Sequence, residues 1–489
     1  MPRPPVFRRL LSIFAVGLLV GTVACSPSQL GGSSQGNRRV TPPPEKSSPN
    51  TPGPAAQPTR APVSTGARLR GTGLSASELY AGYRALLDNY VDPIDSIQLV
   101  KAATDVLRQR LQQQPVLPMF SLPLAMVPPP TGDADKDWRA FGDAYDAVVN
   151  KLPDWAESDR PGWMVMRAMA ETVHDGHTSF LTPDEARRRA ETSFAGIGVV
   201  LSRPQDDQPP LISEIFPNSP AAGSGLKRGD RIVAVDGQDL TGKTVAEVAQ
   251  LIRGQAGTQV RVRVQRLSSQ QPQEYTLRRA QVQVEQVVAR QVGNSPIAYL
   301  RVRSLQDDSV AQQALGLLQR GRQIGVRGWI IDLRGNPGGA LQAVVSLASG
   351  FVDQDHAVVG YEVDRARHQT PLKAQPLGLV EGTPVALLVD HDTASGAEIL
   401  AAALQESKVA TLVGAKTAGS VGVANQVSLP DGSVLQVTEQ RFVSPSGAQL
   451  DGVGITPDQL VEMSEEDLQN DRDPQLQRAV QVLAQKLGG

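Results

Sequence analysis

The chain has 489 residues and a formal net charge of −2, so it is too long for one compact domain and has no basic field that would bind nucleic acid. Its single cysteine excludes an intrachain disulfide framework and a cysteine-based metal site. None of its histidines pairs with another at the H-E-x-x-H spacing of zinc proteases. We therefore expect a multidomain protein that uses neither a metal nor an organic cofactor.

The N-terminus is typical of an export signal. Arg3, Arg8 and Arg9 precede an apolar run over residues 10–24, which is short for a membrane-spanning helix, since that needs ~20 residues. The run ends in Gly-Thr-Val-Ala-Cys-Ser, which is similar to a bacterial lipoprotein cleavage site with Cys25 as the acylated residue. Three alternatives stay open for this segment: cleavage with a lipid on Cys25, ordinary cleavage, and an uncleaved membrane anchor. Each of them places the rest of the chain outside the cytoplasm, in the periplasm, in a lumen or on the outer surface.

A tether and a helical region follow. Residues 26–72 are mostly Ser, Pro, Gly, Gln and Thr and cannot bury a core, so we expect them to be flexible. Beyond them, apolar residues recur at helical spacing, with Ser75 or Ser77 as the first cap. A Pro-rich stretch over residues 113–135 reads as a loop between helices. The predicted helices cover residues 79–91, 96–112, 138–151 and 161–174.

The helical region ends in Asp-Gly-His-Thr at residues 175–178, where the residue types predict a turn that exposes His177. Histidine titrates near neutral pH and can act as a general base. A single histidine in a turn is more often structural or merely solvated. Both interpretations of His177 stay open on this stretch alone.

The next unit resembles a PDZ domain. The sequence SPAAGSGLKRGDRI at residues 219–232, followed by VDG at 235–237, is similar to the S-P-A, A-G-L, G-D-x-I and V-x-G elements of that fold. The resemblance implies that an extended peptide adds to a strand and that its C-terminal carboxylate binds backbone N–H groups of Gly196, Ile197 and Gly198. The alternative is that Gly196, Ile197 and Gly198 only form the Gly-rich start of a strand and bind no ligand. Strands are predicted at 211–215, 231–235 and 260–264, and a helix at 245–253.

After a strand-rich bridge over residues 276–295, strands and helices alternate, which predicts an α/β sheet with crossover helices. The predicted strands cover residues 297–302, 328–333, 385–389 and 410–413. The predicted helices cover residues 309–320, 340–350 and 397–404.

The third of these strands leads into Thr-Ala-Ser-Gly at residues 393–396, and a helix start follows with Glu398 in its first turn. A strand, a turn of small residues and a helix lift one side chain above a sheet and direct backbone N–H groups toward it. Ser395 is therefore the candidate nucleophile, with the Gly396 N–H as one oxyanion donor and Gly338 or Gly339 as the second. The alternatives are a Ser395 that only caps the helix and a Gly-Gly pair that is only a tight turn.

The order of the motifs resembles the carboxy-terminal processing proteases, the S41 or tail-specific serine peptidase family. The resemblance covers residues 75–488 and implies a serine endopeptidase that captures extracytoplasmic proteins by their C-terminal tails and cleaves them through an acyl-enzyme on Ser395. The motifs are D-x-H-T, the PDZ elements, D-L-R-x-N-P-G-G, [ST]-A-S-x-x-E-I, V-G-x-K-T-x-G and a late G-V-x-P-D.

The sequence departs from this family at the general base. Many members have a serine–lysine dyad with the lysine in V-G-x-x-T-F-G-K-G, whereas Ser420 stands at that position here. The resemblance to the tricorn-like branch implies instead a triad of Ser395, His177 and Asp451. Lys416 is an alternative base, which would have to be desolvated to lower its pKa.

Two alternatives without catalysis stay open. Without a base, the chain would be an inactive homologue that binds peptides through its PDZ domain, and a weaker hypothesis is an adaptor that recruits partners through residues 113–135. His391 is expected to point away from the nucleophile.

The predicted partners are protein substrates with free C-terminal tails and, through the N-terminal anchor, the membrane. The predicted divisions are a signal or lipoprotein signal peptide (1–25), a tether (26–72), a helical region (75–190), a PDZ domain (194–268), an α/β peptidase core (276–465) and a C-terminal helix (473–488) that packs on the core or serves a partner.

Overall fold

The computed structural model describes residues 74–112, 127–149, 160–190, 193–203 and 208–488. The predicted signal segment with Cys25, the predicted tether and most of the loop at 113–135 lie outside these residues. Among the helices that the structure describes, none has the length and apolar character needed to cross a bilayer.

The N-terminal region is helical, as predicted. A capping box between Ser75 and Glu78 fixes the start of its first helix. Of the two predicted N-cap residues, Ser75 and Ser77, the cap is therefore Ser75. Its third helix begins before the predicted start because the Asp133 carboxylate accepts the Lys136 N–H at 3.1 Å and caps the first turn. The elements are α1 (Ala76–Asn89), α2 (Ser96–Gln112), α3 (Ala134–Val149), α4 (Pro161–Glu171), β1 (Ser179–Leu181) and α5 (Pro183–Ala190).

The following unit is rich in strands. Its elements are β2 (Ser193–Gly196), β3 (Val199–Ser202), β4 (Leu211–Ile215), β5 (Arg231–Val235), β6 (Gln238–Asp239), α6 (Val245–Ile252), β7 (Gln259–Gln265), β8 (Gln273–Arg278) and β9 (Ala280–Gln283). Among the described residues, the main sheet of this unit has the order β3-β4-β5-β7-β8, so β3 lies at its edge. Apolar residues of the sheet and of α6 form a separate core, which includes Ile212, Val248 and Val262.

The remaining chain alternates strands and helices. Its elements are β10 (Val287–Gln291), β11 (Ile297–Val302), α7 (Asp308–Gln323), β12 (Gly328–Asp332), α8 (Leu341–Ala348), β13 (Val358–Val363), β14 (Gln369–Lys373), β15 (Val385–Val389), α9 (Gly396–Glu406), β16 (Ala410–Gly414), β17 (Gly422–Ser428), β18 (Val434–Val443), β19 (Gln459–Leu460), α10 (Glu465–Gln469) and α11 (Pro474–Gly488). In the described chain, one sheet has the order β10-β11-β12-β15-β16-β19 and is parallel except at β10. This confirms the predicted α/β sheet with crossover helices.

The two faces of this parallel sheet bury different cores. Side chains alternate between the faces of a strand. Ile331 and Leu387 belong to a large core with α7, α8 and α9, whereas Ile330 and Leu388 belong to a smaller core with Leu483 of α11. The C-terminal helix therefore packs on the core, which was one of its two predicted roles.

A second sheet, which the sequence did not predict, joins the N-terminal helices to the core. Strand β18 lies between β1 and β13, with β14 beyond β13, and β17 also pairs with β18. Leu435 and Val437 of β18 share one buried core with Leu79 of α1 and Phe141 of α3. The apolar stripes of the helices therefore pack on β18. The pairing of β1 with β18 also carries the turn that contains His177 to the core.

Candidate active site

Three loops of the parallel sheet meet at the carboxyl ends of β12, β15 and β16. Neighbouring parallel strands end at the same edge of a sheet, so the loops that follow them converge. The Ala394 N–H donates to the Asn336 carbonyl at 2.9 Å, and the Ser395 N–H donates to the Ser420 carbonyl at 2.8 Å. Ser395 therefore lies beside the Gly-rich turn after β12 and beside Ser420 in the loop after β16.

Ser395 has an unusual backbone conformation between β15 and α9. Its φ of 53° and ψ of −122° lie outside the regions that L-residues ordinarily occupy. Non-glycine residues keep such a conformation only where the surroundings enforce it, and they cluster at active sites. A strained strand-to-helix turn is also the conformation that exposes a nucleophilic serine. Ser395 is at the same time the N-cap residue of α9, where the Glu398 carboxylate accepts its N–H, and its role as a nucleophile stays a prediction.

The carboxylate of Glu398 holds this turn together. Glu398 is 0% exposed. Its Oε2 accepts hydrogen bonds from the N–H groups of Ser395 (3.1 Å) and Ser420 (2.9 Å), and its Oε1 accepts from the Gly419 N–H (2.8 Å) and from Thr417 Oγ1 (2.5 Å). The loop after β16 is thereby fixed to the start of α9. The sequence predicts only a helix start at Glu398, although the spacing Ser-x-x-Glu is the signal of a capping box.

The candidate oxyanion donors lie beside Ser395. Gly338 has a φ of 87°, and a Cβ placed on it would lie 2.9 Å from Ser395 Cβ and 2.5 Å from Gly396 N. The Gly338 N–H, however, donates to Asn336 Oδ1 at 2.8 Å and is engaged within its own turn. No backbone hydrogen bond among the described residues uses the Gly339 N–H, whose nitrogen would lie 3.3 Å from a Cβ on Gly396. Of the two predicted alternatives, Gly339 is therefore the one whose N–H has no described partner, and the assignment of the second oxyanion donor stays a prediction.

His177 lies in a turn that one carboxylate organises. Asp175 Oδ1 accepts the N–H groups of His177 (3.0 Å) and Thr178 (2.7 Å). Burial raises the pKa of Asp175, but hydrogen bonds from Thr438, Thr178 and the His177 backbone outweigh it and hold the pKa below its ordinary value. The prediction that the turn exposes His177 is wrong, since its side chain is only 13% exposed. The pairing of β1 with β18 presses the imidazole against Gly422, where a Cβ would lie 2.7 Å from Cδ2.

The imidazole of His177 has two polar neighbours at Nε2. Ser420 Oγ lies 3.2 Å from this nitrogen, and Asp451 Oδ1 lies 4.0 Å from it. Asp451 is oriented by the Val421 N–H, which donates to Oδ1 at 3.0 Å. No hydrogen bond described in the structure joins Ser395 Oγ to His177. The structure thus brings His177 and Asp451 together, and Ser420 contacts His177 through its hydroxyl and Ser395 through its backbone carbonyl.

Lys416, the alternative base, lacks the surroundings for that role, and His391 does not face Ser395. Lys416 is exposed, although a lysine base must be desolvated for its pKa to fall far enough. No described hydrogen bond connects it to Ser395. His391 points away from Ser395, as predicted, because its Nε2 lies 3.2 Å from Ser202 Oγ at the end of β3.

The Asp-Leu-Arg part of the Gly-rich motif has a structural role. Asp332 is fully buried and accepts hydrogen bonds from Tyr299 Oη (2.6 Å) and Arg334 Nε (3.0 Å). Burial raises the pKa of Asp332, but the charges of Arg334 and Arg301 outweigh it and hold the pKa well below its usual range. Arg334 also reaches Asp473 before α11, at 2.9 Å. Within the described residues, no three or more His, Cys, Asp or Glu side chains are grouped so as to hold a metal ion.

The predicted carboxylate-binding loop connects β2 to β3. Gly196 ends β2, and the carbonyls of Ile197 and Gly198 accept the N–H groups of Ala221 and Phe216, each at 2.9 Å. No described backbone hydrogen bond has the N–H of Ile197 or Gly198 as its donor. These two groups can therefore donate to a peptide carboxylate at the entrance of the edge strand β3.

Comparisons with known proteins agree with this architecture. Residues 296–461 match the model of peptidase family S41, and residues 211–266 match a PDZ domain model. The chain is 30% identical to a carboxyl-terminal-processing protease of Synechocystis sp. over 369 residues, which is 71% of this chain and 85% of that relative. It is 29% identical to a probable CtpA-like serine protease of Staphylococcus haemolyticus over 67% of this chain, although the match spans only 65% of that relative.

A solved structure shares the fold. The photosystem II D1 C-terminal processing protease matches with a TM-score of 0.53 and 23% identity, over 79% of this chain and 93% of that one. The predicted fold class is confirmed, while the predicted domain boundaries remain predictions. The chain belongs to the carboxy-terminal processing proteases of peptidase family S41, which are serine peptidases, and it combines a helical N-terminal region, a PDZ domain and an α/β peptidase core.

Proposed function

We propose that this chain is an endopeptidase that captures extracytoplasmic proteins by their C-terminal tails and cleaves them with Ser395 as the nucleophile. One observation carries the proposal: Ser395 has the strained conformation of a strand-to-helix turn and lies beside Gly396 and Gly338. The alternative is an inactive homologue that binds peptides, and it has no such use for a strained serine.

In this mechanism, Ser395 Oγ attacks the substrate carbonyl and His177 takes up the proton that Ser395 loses. The negative charge of the nearby Asp451 carboxylate stabilises the imidazolium that forms, at 4.0 Å from Nε2. The N–H groups of Gly396 and Gly339 hold the oxyanion, and such donors are worth about 10²–10³ in kcat. Water then hydrolyses the acyl-enzyme.

The PDZ domain would deliver the substrate. A tail whose carboxylate binds the N–H groups of Ile197 and Gly198 would add to the free edge of β3 and run toward Ser202, the last residue of that strand. Ser202 Oγ donates to Asp392 Oδ2 at 2.5 Å, in the loop that carries Ser395. The part of the substrate that precedes the tail would therefore arrive near the nucleophile.

The proposal is tested with an unfolded reporter protein that ends in an apolar tail. Ser395→Ala and His177→Ala should abolish cleavage, whereas Lys416→Ala should cleave like the wild type. The matched substrate control is the same reporter with an amidated C-terminus, which should be cut poorly. If Lys416→Ala is as inactive as Ser395→Ala, the enzyme uses a lysine base. If the wild type binds the tail but cuts nothing, the chain is a peptide-binding protein.

We further propose that residues 1–25 export the chain and that Cys25 carries a lipid, with residues 26–72 as the tether to the membrane. The support is the sequence pattern of arginines, apolar run and cysteine. Expressed in bacteria with radiolabelled palmitate, the wild type should incorporate label and partition into detergent, and Cys25→Ser should do neither. Equal partitioning of both chains without label would indicate an uncleaved anchor instead.

A further inference from the structure

Ser420 contacts both His177, through its side chain, and Ser395, through its backbone. Its backbone is fixed on both sides, because its N–H donates to Glu398 Oε2 at 2.9 Å and its carbonyl accepts the Ser395 N–H at 2.8 Å. Its hydroxyl lies 3.2 Å from His177 Nε2. A Cβ placed on Gly176 would be 3.9 Å from the same hydroxyl, so the side chain faces the His177 turn.

This arrangement limits how a proton can reach the imidazole. Nε2 is the ring nitrogen that faces the nucleophile loop, and the Ser420 hydroxyl already bonds to it. A hydroxyl is both a donor and an acceptor, so it can bond to Nε2 while it accepts a second hydrogen bond. A neighbouring serine hydroxyl is a suitable partner for that second bond, and Ser395 is the neighbour whose backbone is bonded to Ser420.

We propose that the Ser420 hydroxyl relays the proton of Ser395 to His177. As Ser395 Oγ attacks, its proton passes to Ser420 Oγ while the Ser420 proton passes to Nε2. The electron pair left on Ser395 Oγ forms the bond to the substrate carbon, and the carbonyl π pair moves to the oxygen. When the C–N bond breaks, the leaving amine receives a proton that returns from His177 through Ser420, so Ser420 and the imidazole recover their starting protonation for deacylation. Ser395 Oγ is esterified at that stage and regains its proton when water hydrolyses the acyl-enzyme. The inference rests on the proposed roles of Ser395 and His177.

The test combines substitutions with a proton inventory. Ser420→Ala should lower kcat by ~100-fold or more with little change in KM, and Ser420→Thr, which keeps the hydroxyl, should recover most of the loss. The matched control is Ser407→Ala, which removes a hydroxyl bonded to the Ala403 carbonyl at the other end of α9 and should leave kcat unchanged. Unchanged tail binding and an unchanged melting temperature would show that Ser420→Ala is folded.

The proton inventory separates a relay from a merely structural hydroxyl. In H₂O–D₂O mixtures, the acylation rate of the wild type should fall along a curve, because two protons move together, and a straight line would overturn the relay. Full activity of Ser420→Ala would also overturn it, yet with Ser395→Ala and His177→Ala inactive it would leave the proposed function standing. A wild type that neither cleaves the reporter nor acylates would refute the proposed function itself.

Discussion

Removing the acceptor oxygens of Glu398 is the perturbation whose effect the structure specifies best. Oε1 accepts from Thr417 and Gly419, and Oε2 accepts from Ser395 and Ser420. In Glu398→Gln, one of these oxygens becomes an NH₂ group, so two donors face another donor whichever way the amide is placed. A buried donor without a partner costs about 1–3 kcal/mol, and we therefore expect the free energy of unfolding to fall by about 2–4 kcal/mol.

The loss of activity should accompany the loss of stability. All four donors belong to Ser395 or to the loop that contains Ser420, so the turn that carries Ser395 loses its fixed geometry. A displacement of about 1 Å in such a site can cost ~100-fold, and we expect kcat to fall by at least ~10-fold. Urea denaturation gives the free energy of unfolding, and reporter cleavage gives kcat.

A capping-box glutamate in another helix provides the matched control. Glu247 accepts the Thr244 N–H at 2.7 Å and the Thr244 hydroxyl at 2.8 Å at the start of α6, where both residues are exposed. Glu247→Gln should lower the free energy of unfolding much less than Glu398→Gln does, because water can replace the lost partner. If Glu398→Gln is no more costly than Glu247→Gln and keeps the wild-type kcat, our account of the turn is refuted.

Three further predictions follow from the surroundings of His177. Gly422→Ala should lower kcat by ~10-fold or more, because the added Cβ would displace the His177 imidazole. The matched control is Gly316→Ala, on an exposed face of α7 with nothing within 4 Å, which should keep the wild-type kcat. Equal kcat values for the two variants would contradict the packing of His177 against Gly422. The pKa of Asp175 is below its ordinary value in the folded chain, so its ionised form stabilises the fold above about pH 4 and this contribution is lost as the pH falls through the lowered pKa. Between pH 7 and pH 3, the melting temperature of the wild type should therefore exceed that of Asp175→Asn at neutral pH, and the difference should shrink in acid. A difference in melting temperature that grows in acid would show that Asp175 does not have a lowered pKa. Ser420→Lys should restore part of the cleavage lost in His177→Ala, because a lysine beside Ser395 can serve as its base, and a folded but inactive double variant would argue against that placement.

Local patterns predicted the elements that carry the nucleophile. The buried run Val385–Val389 and the small residues after it specify a strand and a tight turn without help from the rest of the chain. The Ser-x-x-Glu spacing is an equally local signal of a capping box, but it does not indicate that Glu398 also reaches Ser420. The position of Ser420 was recognised as a departure from the family pattern, but its contact with His177 depends on a turn about 240 residues earlier.

Non-local pairing explains what the sequence did not predict. Strand β18 is half-exposed, and its partners β1 and β13 lie far from it along the chain, so no local period indicates the second sheet. The burial of His177 is a consequence of that pairing, which is why its turn looked exposed in the sequence. The reach of a side chain is equally hidden in the sequence, because only the structure shows that Asn336 Oδ1 accepts the Gly338 N–H.

The most direct test of the central claim is covalent labelling of the nucleophile. A fluorophosphonate should react with the wild type at Ser395, located by peptide mass spectrometry, and should react ~100-fold more slowly with His177→Ala and not at all at this site with Ser395→Ala. Labelling of His177→Ala at the wild-type rate, or of another serine in the wild type, would contradict the account in which His177 activates Ser395.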